Sequence, residues 1–420
     1  MNTSDQNNTP FSLFDVESGE MVSNLFPLFA RMRSVGPVVR VPFPVGGRAL
    51  EAWLVVRMEE AQQVLKDKNH FVVNPASING GHFDKLTAIA NKDESAPETF
   101  VSGNALPFID DPAHRRLRGL VAKAFTPKYV EGLRPRVQEI ADELLDKVQD
   151  QGGMDVVKDY AYPLPINVIS EMLGVPHSDR EQLHVWSAAL ARGLGVARQD
   201  LEVVEHLRAF GEYTAQLVAD KRLHPANDLI SQLIASEAEG DRLSESELIS
   251  MITLLIFAGH ETTSNLISIG TLMLLDHPDQ LEKLKADLSL VPSAVEELLR
   301  FNGPSTIVGP RYATEDLELG GQHIKKGDLV IPVVKSANRD EYQFEHSEEL
   351  DITRKINRHL AFGHGVHMCL GAPLARLEGD IAFTTLLKRL PNIRLSVPRD
   401  SLTWSSTLTT QNVNSLPVTF

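Results

Sequence analysis

The chain has 420 residues, 42 % of them hydrophobic and 23 % charged, with one cysteine and a formal net charge of -15. That balance belongs to a globular protein with a sizeable core, and its acidity argues against nucleic acid or an anionic membrane as a partner. A single cysteine excludes an internal disulfide and suits a reducing cytoplasm, where the protein is expected to act as a monomer.

The first ten residues read as a disordered tail, with residues 11–420 as one domain. MNTSDQNNTPFSLFDVESGE lacks the basic flank and apolar run of a signal peptide or membrane anchor. PVVRVPFPVGGRALEAWLVV predicts two strands around Gly46 and Gly47, and MEEAQQVLKD a helix. Residues 71–110 show no periodicity, and a loop of that length is more often functional than idle. From about 112 to 300 helical periodicity dominates, before DLELGGQHIKKGDLVIPVV introduces turns at Gly320-Gly321 and Lys326-Gly327. The expected fold is mainly α, a large helical bundle with a minor β-rich portion.

SESELISMITLLIFAGHETTSNLISIGTLMLLDHP predicts one long helix, opened by Ser244 and Glu247 in capping-box spacing and stopped before Pro278. Its flanks are apolar on nearly every face, so it should cross the interior. A membrane span is the alternative, and the polar waist from Gly259 to Asn265 speaks against it. The waist reads either as a hydrogen-bonded kink at Gly259 or as the lining of a polar cavity, and the two are compatible. His260-Glu261 begins a zinc-protease motif, but Ser264 stands where the second histidine belongs.

The only cysteine lies in FGHGVHMCLGAPLARLE. The bland reading of Cys369 is a small buried hydrophobe. Zinc is a second, with His359, His364 and His367 nearby, although structural zinc sites normally bring more cysteines. Gly363 and Gly365 would instead let backbone lie against a flat cofactor, with Phe362 on the sulfur's flank. A helix follows with Pro373 in its first turn, and Gly371 would let the helix's free N–H groups approach the sulfur. Those groups and the helix dipole favour thiolate, which an axial ligand to haem iron requires.

FGHGVHMCLG resembles the haem-binding loop of the cytochromes P450, the haem-thiolate monooxygenases. AGHETT is similar to that family's oxygen-activating segment, EELLR (residues 296–300) to its E-x-x-R helix, and DPAHRRLRGLVAKAFTP to the helix beneath the haem of bacterial members. ANRDEYQF resembles the segment leading to the cysteine loop. These motifs run in the right order from about residue 110, and the nearest likeness is to soluble bacterial members, including polyketide- and macrolide-tailoring hydroxylases.

The resemblance implies a single monooxygenase domain that binds haem b, with Cys369 as the iron's thiolate ligand. His114, Arg118, Arg311 and His367 match contacts to the haem propionates. Glu297, Arg300 and Arg354 would form an ion-pair network supporting the loop, although EYQFEHSEELDITR lacks the prolines usual there. Ala258 and Gly259 would border the oxygen pocket, while Thr262 and Glu261 form an acid–alcohol pair that delivers protons to dioxygen.

Arg115, Arg116, Arg118, Lys123 and Lys128 form a basic run on an acidic chain. It reads as a solvated helix face or as a dock for a small acidic electron donor, a ferredoxin or flavodoxin fed by an NAD(P)H-dependent reductase. Substrate contacts are expected in residues 71–106, 165–200, Ser305–Val308 and Leu408–Thr410. Their Gly-, Ser-, Thr- and Val-rich content favours a largely apolar organic molecule of moderate size. A non-catalytic haem sensor and a peroxide-driven oxidase are the competing classes, and the acid–alcohol pair distinguishes a monooxygenase from both.

Overall fold

The structure, a computed structural model, describes residues 24–45, 48–78, 105–193, 201–235, 243–355, 357–406 and 409–420. The predicted tail, the Gly46-Gly47 turn and most of the long stretch after residue 78 lie outside the described residues. No described helix is long and apolar enough to cross a membrane.

The fold is mainly α, as expected. Its axis is the helix Glu245–Asp276, 32 residues long and about 48 Å from end to end. Ser244 and Glu247 close a reciprocal capping box at its start: the Ser244 hydroxyl accepts from the Glu247 amide, and the Glu247 carboxylate accepts from the Ser244 amide. Helices Pro163–Leu173, Arg180–Gly193, Leu201–Leu223, Val291–Asn302 and Ala372–Arg389 pack around it. One large cluster of buried apolar side chains joins them, from Ala105 to Val418.

The waist does not break the long helix. The Thr262, Ser268 and Thr271 hydroxyls each donate to the carbonyl four residues back, at 3.0, 2.9 and 2.7 Å, without interrupting it. Gly259 serves packing instead. A Cβ there would stand 2.8 Å from Cγ1 of Ile169, so the missing side chain lets the helix Pro163–Leu173 close against the waist. His260 is buried, its Nδ1 2.7 Å from the Ile256 carbonyl.

The β-rich portion holds a five-stranded sheet. Val38–Val45 pairs antiparallel with Arg48–Val55, which runs parallel to Leu329–Pro332; Arg311–Ala313 and Phe71–Val72 complete the order. The predicted helix beside it runs Met58–Lys66 and buries Met58, Ala61, Val64 and Leu65, one face at helical spacing. Arg311 at the start of its strand and the middle of the long helix, from Met251 to Leu266, line the same cavity.

Candidate active site

The cysteine loop is shaped by its own backbone. The Cys369 amide donates to the Phe362 carbonyl at 2.8 Å, and Gly363 turns the chain with φ +68°. Gly365 also has a left-handed φ of +72°, but it does not line the cavity. A Cβ on Gly365 would meet the Leu65 carbonyl oxygen at 2.3 Å. The loop's second glycine therefore answers to the end of the helix Met58–Lys66, which corrects the expectation that it faces a cofactor.

Cys369 is accessible, and what it faces is the cavity, about 430 Å³ in volume, which Phe362, Gly363, Gly371, Ala258, Gly259 and Thr262 also line. The amides of Gly371 and Ala372 approach its sulfur, and Sγ is the atom nearest to where a Gly371 Cβ would stand, at 4.0 Å. Although the residue is open to the cavity, desolvation by the surrounding protein raises the thiol, and those amides with the charges of Arg118 and Arg376 act against it. The helix terminus thus pulls towards thiolate, as the sequence reading expects, against the opposing effect of burial. A cation bound at the sulfur would favour the thiolate further. Among the described residues no three His, Cys, Asp or Glu side chains assemble to hold a metal ion, so the zinc reading fails.

His114, Arg118, Arg311 and His367 also line the cavity. The two imidazole rings lie 4.1 Å apart, and His114 Nε2 is buried without a partner. Burial pushes His367 down to about 3, helped by the fields of Arg311, His114 and Arg118, and burial lowers Arg311 to about 10. Nearby carboxylates are largely committed elsewhere: Asp111 to Lys68 at 2.7 Å and Arg115 at 3.2 Å, with its other oxygen 3.7 Å from His114 Nδ1, and Asp110 to the amides of Val73 and Asn74. Two guanidiniums in one pocket, with two imidazoles beside them, call for an anion. A flat cofactor with a metal above the sulfur and two carboxylates beside the basic groups matches this donor set, and haem is such a group.

The waist divides its residues between two faces. Thr262, Ala258 and Gly259 line the cavity, whereas Glu261 does not and bonds Asn412 instead. Burial lifts the Glu261 carboxyl to about 7 against the pull of that amide. A second acid, Glu378 on the helix Ala372–Arg389, escaped the sequence reading. It lines the cavity fully buried, approached by Thr263, and burial pushes it up to about 8. Its only sequence signal is an acid on the buried face of a helix, between Leu377 and Gly379.

The ion-pair network expected behind the loop is assembled. Glu297 and Arg300 are 2.8 Å apart and fully buried, and Arg354 reaches Glu297 at 3.1 Å despite the missing prolines. Arg300 also donates to the carbonyls of Asn338, Ser347 and Glu349. The Asn338 side chain accepts from the Leu360 amide, which ties the network to the root of the cysteine loop.

The basic run is thinner than the sequence suggests. Arg116 pairs with Glu247, and Arg118 turns inward to donate to the Met368 carbonyl at 2.7 Å. Arg115, Lys123 and Lys128 remain exposed.

The sequence profile of the family Cytochrome P450 matches residues 203–416. The polyketide biosynthesis cytochrome P450 PksS of Bacillus subtilis is 40 % identical over 407 residues, covering 97 % of this chain and 98 % of that protein. The cytochrome P450 monooxygenase PikC of Streptomyces venezuelae is 40 % identical, covering 95 % and 92 %. A solved structure of P450BioI in complex with an acyl-carrier-protein-ligated hexadecenoic acid superposes with a TM-score of 0.84 at 36 % identity, covering 96 % of this chain and 100 % of that one. Likeness of that extent, along nearly the whole of both chains, makes this protein a member of the cytochrome P450 family of haem-thiolate monooxygenases.

Proposed function

We propose that the protein hydroxylates a C–H bond of a largely apolar, medium-sized organic substrate, with Cys369 as the iron's ligand and two electrons delivered by a separate protein. The observation that carries this reading is the shared cavity of Cys369 and Thr262, a sulfur and a proton-carrying hydroxyl facing the same space. Haem, when bound, supplies the oxygen-activating chemistry. The chain's own residues hold, orient and protonate.

Arg118, Arg311, His114 and His367 would bind the propionates, the two imidazoles becoming donors once an anion offsets the repulsion between the basic groups. Gly371 leaves the space through which backbone amides reach the sulfur. At the waist, Thr262 Oγ1 donates to the Ala258 carbonyl at 3.0 Å, which leaves its lone pairs free to accept a hydrogen bond from a water that would pass on its proton. Glu261 would resupply that proton. With its carboxyl lifted to about 7, it is both protonated and ionised near neutral pH, which suits a relay.

Away from the basic groups the wall is mostly apolar, with Ile169, Leu254, Phe257, Ile307 and Val308 on it and Thr262, Thr263, Ser305 and Glu378 as its polar members. That supports an apolar substrate, oriented by few hydrogen bonds. Arg115, Lys123 and Lys128 support docking of an acidic ferredoxin or flavodoxin, served by an NAD(P)H-dependent reductase. The test is oxygenation of a ligand found by spectral screening, driven by a donor pair and by peroxide in parallel. Product with donor proteins fits the proposal, and product with peroxide alone overturns it.

A further inference from the structure

Glu261 is held from outside its own helix. The strand Gln411–Val413 packs against the helix Glu245–Asp276, and the Asn412 side chain bonds the Glu261 carboxyl. Glu261 Oε2 and Asn412 Oδ1 are both buried without a partner, so this contact is the carboxyl's one fixed anchor among the described residues.

The residues before Asn412 are fastened to the cavity wall. Thr409 accepts from the Thr306 amide at 2.8 Å, Thr410 bridges to Ser305, and Gln411 accepts from Lys335 Nζ at 3.1 Å. Ser305 lines the cavity. Four consecutive residues, Thr409 to Asn412, thus join the wall, a buried lysine and the acid beside Thr262. Opposite Asn412, Ser405 of the strand Trp404–Ser406 fixes the register.

We infer that Asn412 is a positioning residue for Glu261: its amide orients the carboxyl and ties the acid to the strand that borders the cavity. The functional side of this inference rests on the reading of Glu261 as proton donor. The contact itself does not. An amide donor favours the ionised acid, so Asn412 opposes the effect of burial and keeps Glu261 within reach of neutral pH.

Other ionisable groups surround this stretch. Tyr162, ahead of the helix Pro163–Leu173, feels both Glu261 and Glu181 and meets the His184 ring at a tilt, the last two from the helix Arg180–Gly193. His260 meets the Tyr162 ring edge-on, Lys335 stands behind Gln411, and Glu378 lies at Thr263. None of these is the bonded partner of Glu261.

The experiment is a pH titration of the carboxyl stretch by infrared difference spectroscopy on haem-loaded protein. Wild type is compared with Glu261→Gln, Asn412→Leu and Asn412→Gln. The band missing from Glu261→Gln identifies the acid. In Asn412→Leu that band should titrate about one to two pH units higher and shift in frequency, while Asn412→Gln, which keeps an amide, restores most of the difference. Should Asn412→Leu not fold, Asn412→Ser gives the same comparison with a shortened reach. An unchanged midpoint in the folded variant, or no band lost in Glu261→Gln, overturns the proposal. Full coupling of electron use to product in Glu261→Gln would overturn the relay reading instead and leave the contact standing.

Discussion

The rings of His114 and His367 lie 4.1 Å apart inside the cavity, and His114 Nε2 has no partner there. Two imidazoles and two guanidiniums crowd a buried corner whose neighbouring acids are already engaged. Replacing Arg311 or Arg118 by Ala is expected to raise the rate of haem loss roughly tenfold or more, as each charge-assisted bond contributes about 1.5–3 kcal/mol. Transfer of haem to a scavenging apoprotein measures it, and unaltered rates would remove the corner from the haem site.

Thr262→Ala should retain haem and the thiolate spectrum while the fraction of electrons reaching product falls, by roughly tenfold or more. The lost equivalents should appear as peroxide or water. Peroxide formed and product formed per NAD(P)H consumed are the quantities to compare.

Lys335 is buried and bonded to Gln411, and burial pushes its ammonium down to about 7 from 10.5. A base depressed in the folded state favours folding when neutral. Its contribution is intact above about 10.5, is lost as pH falls towards 7, and is constant below that. Lys335→Met should therefore stabilise the protein at pH 7 by an amount on the order of 3 kcal/mol and flatten the stability curve between those limits. Denaturant midpoints across that range decide it; a less stable variant at pH 7 would show that the ammonium is better paired than its surroundings indicate.

Glu297→Ala would leave Arg300, fully buried, without its carboxylate. Breaking a buried pair from one side costs about 3–5 kcal/mol, and this pair also anchors the segment leading to the cysteine loop. Loss of haem incorporation with retained helical circular dichroism is the expected outcome, measured as haem per protein chain.

Much of this was legible in the sequence because it is local. The capping box of Ser244 and Glu247, the i, i+3 pair of Glu297 and Arg300, and Pro373 after the cysteine are short-range patterns whose spacing alone carries their geometry. What stayed hidden depends on partners far along the chain. Gly365 answers to Leu65, Gly259 to Ile169, and Arg116 to Glu247, pairings that no spacing reveals. Glu378 and Asn412 escaped for the same reason: each acts across an interface between two elements, and each looks like an ordinary surface residue until burial is known.

The central claim is a bond between the Cys369 sulfur and haem iron. The carbon monoxide spectrum of the reduced protein tests it most directly. The account predicts the red-shifted Soret band of a thiolate-ligated haem in the native protein and its replacement by a nitrogen-type band in Cys369→His. A nitrogen-type band in the native protein, or a thiolate-type band surviving in Cys369→His, would contradict it.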